Sequence, residues 1–376
     1  MQVIPTTTAA VSSAKDSVSM PAKRFVRRLL PDRSQAVRHC VQAVFLALNA
    51  WIAIEFVIWV RFFESQGRTP FIERPAGVDG WLPIAGLMNL KYFLMSSQMP
   101  EIHPSAMVLA AVFLLSSLFI KKVFCSWLCP VGTISEYLWK LGRKLFRNSL
   151  ILPRWLDLPL RSLKYLLMGF FLILVLSMSA ESIHDFMLAP FGIVADVKML
   201  NFFRNLGLIG VVVLASLILL SVVIQNFWCR FLCPYGALMG IVSTLSPVRI
   251  RRDTTACIDC GKCAKACPSH LPVDQLIQIQ SLECTSCMEC VAACPASHAL
   301  QLAFAPHELA TDNHTVSAPT IERWRGRVLK PHAIVAALAL IFFGLIGLAR
   351  ATGHWQTTIS PDVYRQMVPH ANEYEH

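Results

Sequence analysis

Thirteen cysteines carry the chemistry of this 376-residue chain, and eight of them follow one strict spacing. Cys257-x-x-Cys260-x-x-Cys263-x-x-x-Cys267-Pro268 recurs as Cys284-x-x-Cys287-x-x-Cys290-x-x-x-Cys294-Pro295. Three thiolates in so short a run wrap three corners of a cubane iron–sulfur cluster. The fourth, just before the proline, reaches across to the other cluster. The spacing therefore predicts two [4Fe-4S] clusters. One rests on Cys257, Cys260, Cys263 and Cys294, the other on Cys284, Cys287, Cys290 and Cys267. Gly261 permits close backbone approach, and Ala264, Ala266, Ala292 and Ala293 leave room around the cubanes. Zinc sites use paired Cys-x-x-Cys rather than a run of three plus a fourth before proline. A secreted disulfide framework is also excluded, because the spacings are too tight and too regular.

Four further cysteines come in two copies of another motif. Phe124-Cys125-Ser126-Trp127-Leu128-Cys129-Pro130 recurs 104 residues later as Trp228-Cys229-Arg230-Phe231-Leu232-Cys233-Pro234. In a helix, a spacing of four sets both sulfurs on one face. Two such faces brought together would supply Cys125, Cys129, Cys229 and Cys233 to a third metal or redox site, or to a dithiol pair. A lone Cys-x-x-x-Cys would suit simple packing; two matching copies argue for more. Cys40 has no such partner and reads as a buried hydrophobe. Glu55 sits in an apolar run, where acids are functional suspects, although Arg61 is close enough in sequence to pair with it. Glu101, His103, Glu181, His184 and Asp185 fall between apolar runs; they are either plainly solvated or placed to take protons from a quinol. There is no Cys-x-x-Cys-His for covalent haem, no dinucleotide fingerprint and no phosphate-binding glycine loop.

The elements that must position these residues are those of a membrane protein. Charged residues are only 15% of the chain, against about 25% in soluble domains, and the mean hydropathy is +0.52. That excludes a soluble enzyme, a disordered chain and a nucleic-acid module. Five apolar stretches approach the length of about 20 residues that a span needs: 40–60, 105–120, 163–180, 206–227 and 332–349. The net charge of +11 is uneven. Basic residues crowd before the first stretch (Lys23 to Arg38), between the second and third (Lys121 to Arg161), and before the fifth (Arg323 to Lys330). By the positive-inside tendency these segments share the cytoplasmic side. Residues 134–147 place Ile134, Leu138, Leu141 and Leu145 on one helical face with the basic residues largely off it, as for a helix in the membrane surface.

The expected fold is mainly α: about five transmembrane helices in two repeated halves, with an α+β dicluster ferredoxin domain inserted before the last helix. Its parts are a basic N-terminal segment (1–38), a four-span domain (39–250), the ferredoxin domain (251–300), a linker (301–330), the fifth helix (331–350) and an external tail (351–376). The first 20 residues read as disordered, with no signal peptide; 296–322 reads as weakly structured. The bacterial inner membrane is the expected location, with the N-terminus and ferredoxin domain cytoplasmic and the C-terminus periplasmic.

Paired Cys-x-x-x-Cys-Pro motifs at span ends, followed by a dicluster segment, resemble the NapH/NosR/CcoG-type membrane polyferredoxins. The segment Gly77-Val78-Asp79-Gly80-Trp81-Leu82-Pro83 through Tyr92, expected as an external loop, is similar to theirs too. The resemblance runs over residues 35–300 or so and is nearest to the stand-alone members of the YccM kind. NosR-type members carry an external flavin-binding domain and CcoG-type members an external immunoglobulin-like one; the short tail has room for neither. The resemblance implies an electron-transfer component without substrate chemistry of its own. It would relay electrons between quinone, or a membrane partner, and a redox partner such as a periplasmic oxidoreductase or cytochrome, with no role for nucleic acid. A copper-binding, cupric-reducing assembly factor is the alternative, since soft thiolates suit Cu(I). A membrane sensor with structural clusters is a third reading.

Overall fold

The computed structural model describes residues 26–29, 32–146, 152–304 and 328–374. The expectations for the first 20 residues and for most of the linker fall outside these.

Proline at the first turn, where its missing N–H costs nothing, opens seven of the fifteen α-helices among the described residues. The order begins with α1 (Ser34–Glu64), a 3₁₀ turn (Ala76–Trp81), α2 (Pro83–Ser96), α3 (Pro104–Ile120), α4 (Phe124–Trp127) and α5 (Pro130–Phe146). It continues with α6 (Arg154–Ser177), α7 (Ala180–Leu188), α8 (Pro190–Ile193), α9 (Ala195–Arg204) and α10 (Leu208–Val223). A π-helical turn (Trp228–Leu232) leads into α11 (Pro234–Val242), followed by β1 (Val248–Arg252), α12 (Lys262–Ala266), α13 (Glu289–Ala292), β2 (Leu300–Phe304), α14 (Pro331–Ala351) and α15 (Pro361–Met367).

Among the described residues, three helices are long and apolar enough to cross a membrane: α1, the part of α6 from Trp155 to Ser177, and α14. A fourth span arises if α9 and α10, bent by 84° at the break between them, count as one. The remaining expected stretch is α3, at 17 residues a shorter apolar helix. At 1.5 Å per residue it is about 26 Å long, slightly under a hydrocarbon core of about 30 Å. Leu208 and Ile209 are each 81% exposed and Leu340 is 75% exposed. So wide an exposed apolar surface belongs against lipid rather than water.

α2 lies in the segment expected as an external loop. It is a helix packed closely on α3: a Cβ at Gly86 would stand 2.7 Å from the Ala106 carbonyl oxygen. Buried Asn89 ties α2 to the start of α3 through the carbonyls of Ile102 (2.8 Å) and His103 (3.1 Å). Cys40 corrects another expectation. It is exposed on α1 rather than buried, because it lies on the outward side of a helix whose buried residues near this end are Ser34, Arg38 and Gln42.

The ferredoxin unit is closed by an antiparallel pair, β1 with β2, in the register Val248↔Phe304 to Arg252↔Leu300. All eight motif cysteines lie between the two strands in sequence. Val248, Ile250, Leu300 and Leu302 turn inward and form one core with Cys263, Cys267, Cys284 and Cys290. The strands reach beyond 251–300 at both ends, so β2 takes in the first residues of the expected linker.

Candidate metal centres

In each half of the ferredoxin unit the backbone alternates in hand around the cysteines. Asp259 and Gly261 have φ of 53° and 66°; Ser286 and Met288, at the matching positions, have 50° and 60°. Such alternation turns successive amides toward one point, the nest geometry used by iron–sulfur sites. Gly261 takes the left-handed conformation freely, whereas Met288 takes it at a cost.

The fourth cysteine of each run lies with the other run. Cys294 is within electrostatic range of Cys260 and Cys257, and Cys263 of Cys294. Cys267 is within range of Cys284, and both Cys287 and Cys290 are within range of Cys267. Cys263, Cys267, Cys284, Cys287 and Cys290 are buried, while Cys260 is exposed. Burial pushes the Cys287 thiol up to about 12, and Cys263, Cys267 and Cys294 also above their ordinary range. Amides of Ala264, Ser269, Leu271, Glu289 and Ala296 donate to these sulfurs and oppose that rise. Ligation must remove the thiol protons, and the amides reduce its cost.

Cys125, Cys129, Cys229 and Cys233 line one cavity of about 350 Å³. The expectation that each pair shares a continuous helical face does not hold. Cys125 lies in α4 and Cys129 beyond its end; Cys229 lies in the π-helical turn and Cys233 caps α11. Pro130 and Pro234 each start a new helix, so each second cysteine sits at a helix N-terminus. There Cys233 Sγ accepts from the Gly236 amide at 3.3 Å, and Cys129 from the amides of Gly132 and Val131. Gly132 is required by the turn, because a Cβ would stand 2.3 Å from the Cys125 carbonyl oxygen. Burial pushes Cys125 up to about 11 and Cys129 to about 12.

The ferredoxin unit is docked on the helical part beside this cavity, whose wall also includes Glu283, Thr285 and Cys287. Lys121 Nζ donates to the Ile279 carbonyl (2.6 Å), Ser126 Oγ to Thr285 (2.7 Å) and Trp127 Nε1 to Ser286 (3.2 Å). Buried Lys164 and neighbouring Tyr165 on α6 grip Glu283 at 2.6 and 2.9 Å. Arg38 on α1 holds both oxygens of Glu136 on α5 at 2.7 Å and Glu289 on α13 at 2.7 Å. Burial disfavours the Glu136 carboxylate, but Arg38 and Lys140 outweigh this and hold it at about 2.

Sequence reasoning did not find these ion pairs, nor a second buried set away from the cysteines. There, Arg74 bridges Asp79 and Asp196, and His103 Nδ1 lies 2.9 Å from Asp79. His103, expected to be either solvated or placed to take protons from a quinol, is fully buried, and its Nε2 lies 3.0 Å from the Gly192 carbonyl oxygen. Glu101 and Asp185 are exposed as expected, and among the described residues Glu55 makes no ion pair with Arg61.

The 4Fe-4S binding domain family matches the chain twice, over residues 102–149 and 206–252, and the 4Fe-4S dicluster domain family matches residues 249–295. The Escherichia coli (strain K12) protein named "Putative electron transport protein YccM" is 48% identical over 335 residues, covering 89% of this chain and 90% of that protein. The chain belongs to the membrane polyferredoxins. Another relative of this polyferredoxin is the ferredoxin-type protein NapH of Haemophilus influenzae, 26% identical over 58% of this chain and 76% of its own. The methylamine utilization ferredoxin-type protein MauN of Paracoccus denitrificans is 29% identical over 50% of this chain and 63% of its own. No solved structure matches the chain. It is thus an iron–sulfur electron-transport protein of the multi-pass membrane kind. The buried thiols, inward amides and small neighbours of the ferredoxin unit fit the clusters that its family implies.

Proposed function

We propose that the polyferredoxin relays electrons between the quinone pool, or a membrane partner, and a second redox partner through two [4Fe-4S] clusters with crossed ligation. Cys257, Cys260, Cys263 and Cys294 hold one; Cys284, Cys287, Cys290 and Cys267 hold the other. When bound, the clusters supply one-electron steps at potentials that burial and hydrogen bonds to sulfur adjust. The observation that carries this reading is the exchange of fourth cysteines: Cys294 beside Cys257 and Cys260, Cys267 beside Cys284. The chain's own part is to aim amides at the sulfurs and fix the ferredoxin unit against the helices. Cys125, Cys129, Cys229 and Cys233 form a third metal or redox site between that unit and the membrane.

In this reading α3 is a fifth span, enclosed by its neighbours, and the two Cys-Pro segments head two repeated halves. The N-terminus and ferredoxin unit face the cytoplasm of a bacterial cell, the tail the periplasm. The test is anaerobic purification of single variants. Cys294→Ser should disturb the cluster of Cys257, Cys260 and Cys263; damage confined to the cluster nearest in sequence would overturn the crossing. Reporters fused after Val60 and Ala349 should read external, and one after Ala299 internal; the opposite reading at Ala299 would invert the orientation.

A further inference from the structure

We infer that Arg252 raises the reduction potential of the cluster held by Cys257, Cys260, Cys263 and Cys294, acting through the Cys257 sulfur, and that Asp259 opposes it. This deepens the two-cluster reading above and rests on it. Geometry is the first argument. Arg252 Nη1 lies 3.6 Å from Cys257 Sγ, within hydrogen-bond range for so large an acceptor, and 3.3 Å from Asp259 Oδ1. Its Nε donates to the Leu276 carbonyl at 3.2 Å, and its backbone amide to the Ile277 carbonyl at 2.8 Å. The guanidinium is thereby fixed at the end of β1, with its side chain only 10% exposed. Asp259 Oδ1 lies 3.5 Å from the same sulfur. Once ligation removes the Cys257 proton, that carboxylate faces a thiolate, a like charge. Arg252 spans the two and offsets the repulsion.

The second argument is that the other cluster has no such group at the matching sulfur. The two cysteine runs are related by a local two-fold. Arg251 and Gln278 form an antiparallel bridge, and the Ile279 amide donates to the Ile250 carbonyl at 2.9 Å just as that of Arg252 donates to Ile277. Arg252 stands five residues before Cys257, and Ile279 five before Cys284. The place of the guanidinium is thus taken by an apolar side chain, 1% exposed, and that of Asp259 by Ser286. Cations reach the second set from the helical part instead, Arg38 toward Cys287 and Lys121 toward Cys284. Reduction adds a negative charge to a thiolate-bound cluster. A fixed cation beside a ligand sulfur therefore favours the reduced form, and a fixed anion disfavours it. An arginine that merely braced the turn would leave the potential where it is.

The experiment is a redox titration of the full chain, purified anaerobically in detergent and followed by EPR, with iron counted on the same fraction. Cys260→Ala identifies the signal of the Cys257 set by removing it. Arg252→Met should keep full iron and make that cluster about tenfold harder to reduce, as when one charge-assisted hydrogen bond is felt mainly in the reduced form. For one electron this is a shift of about 59 mV to more negative potential, with the other signals in place. Arg252→Lys, which keeps the charge, should shift it less. Asp259→Asn should move the same midpoint in the opposite direction, and it carries the test if Arg252→Met loads poorly. Unmoved midpoints in these variants at full iron, or equal shifts in every cluster, would overturn the inference and leave the two-cluster reading standing. A Cys260→Ala protein that lost no signal would overturn that reading, and this inference with it.

Discussion

Arg38→Met removes the guanidinium that joins α1, α5 and the ferredoxin unit, and the structure sets the size of the effect. Arg38 is 1% exposed and makes three charge-assisted contacts of 2.7 Å, two to Glu136 and one to Glu289. Deleting one partner of a fully buried ion pair costs about 3–5 kcal/mol, because the other charge is left uncompensated. Here the loss is smaller. Lys140 still holds Glu136 at 2.6 Å, and the Glu289 side chain is 30% exposed, so water replaces part of what is lost. A cost of about 2–3 kcal/mol is expected, with about 1–2 kcal/mol for Arg38→Lys, which keeps the charge but not the two-pronged grip. The loss falls on docking rather than on the ferredoxin core. Amide exchange should therefore rise on the order of 30- to 150-fold at residues 285–292 and much less at β1 and β2. Hydrogen-exchange mass spectrometry on the detergent-solubilised protein measures both. Unchanged protection at 285–292, or equal loss in the β pair, would refute the reasoning.

Gly132→Ala should destabilise the first Cys-Pro turn by about 1–3 kcal/mol, since the Cys125 carbonyl must move; exchange at 125–135 reports it, while the ferredoxin spectra stay unchanged. Gly261→Ala should cost about 1–2 kcal/mol, because its φ of 66° is left-handed, and should speed cluster loss on warming, read as bleaching of visible absorbance. The Asp79–Arg74–His103 set should make stability depend on pH at both ends. Burial alone would raise Asp79, but Arg74 and His103 hold it far below its ordinary range, so its contribution is present above about pH 4 and lost as pH falls further. Burial alone would lower His103, but Asp79 outweighs this and raises it. That contribution is complete below about pH 6.5 and lost as pH rises through the folded value. Unfolding midpoints across pH should decline on the alkaline side, and His103→Gln should flatten that limb.

What could be read from sequence was what depends on short spacing. The eight ferredoxin cysteines declare themselves because three ligands of each set fall within seven residues. The cavity cysteines were legible only through their repetition, and their helical register was misjudged because the proline after each second cysteine opens a new helix. The apolar run of α2 was mistaken for a loop since it is shorter than a span and stands between two of them, although Pro83 marks its start. The ion pairs were not legible at all. Arg38 meets a carboxylate 251 residues away, and nothing near either residue in the chain announces the other.

The three hydrogen bonds from Lys121, Ser126 and Trp127 fix how this molecule can work as wiring. A carrier on a loose tether would swing between donor and acceptor, and its turnover would slow in a viscous medium. This ferredoxin unit is bolted at Ile279, Thr285 and Ser286 to the strap that also bears Cys125. In the proposed relay these anchors would hold its distance from the helices constant. Under that reading any moving part would be the partner, and the exposed Cys260 turn, rather than the buried Cys287 side, would be the terminal open to it.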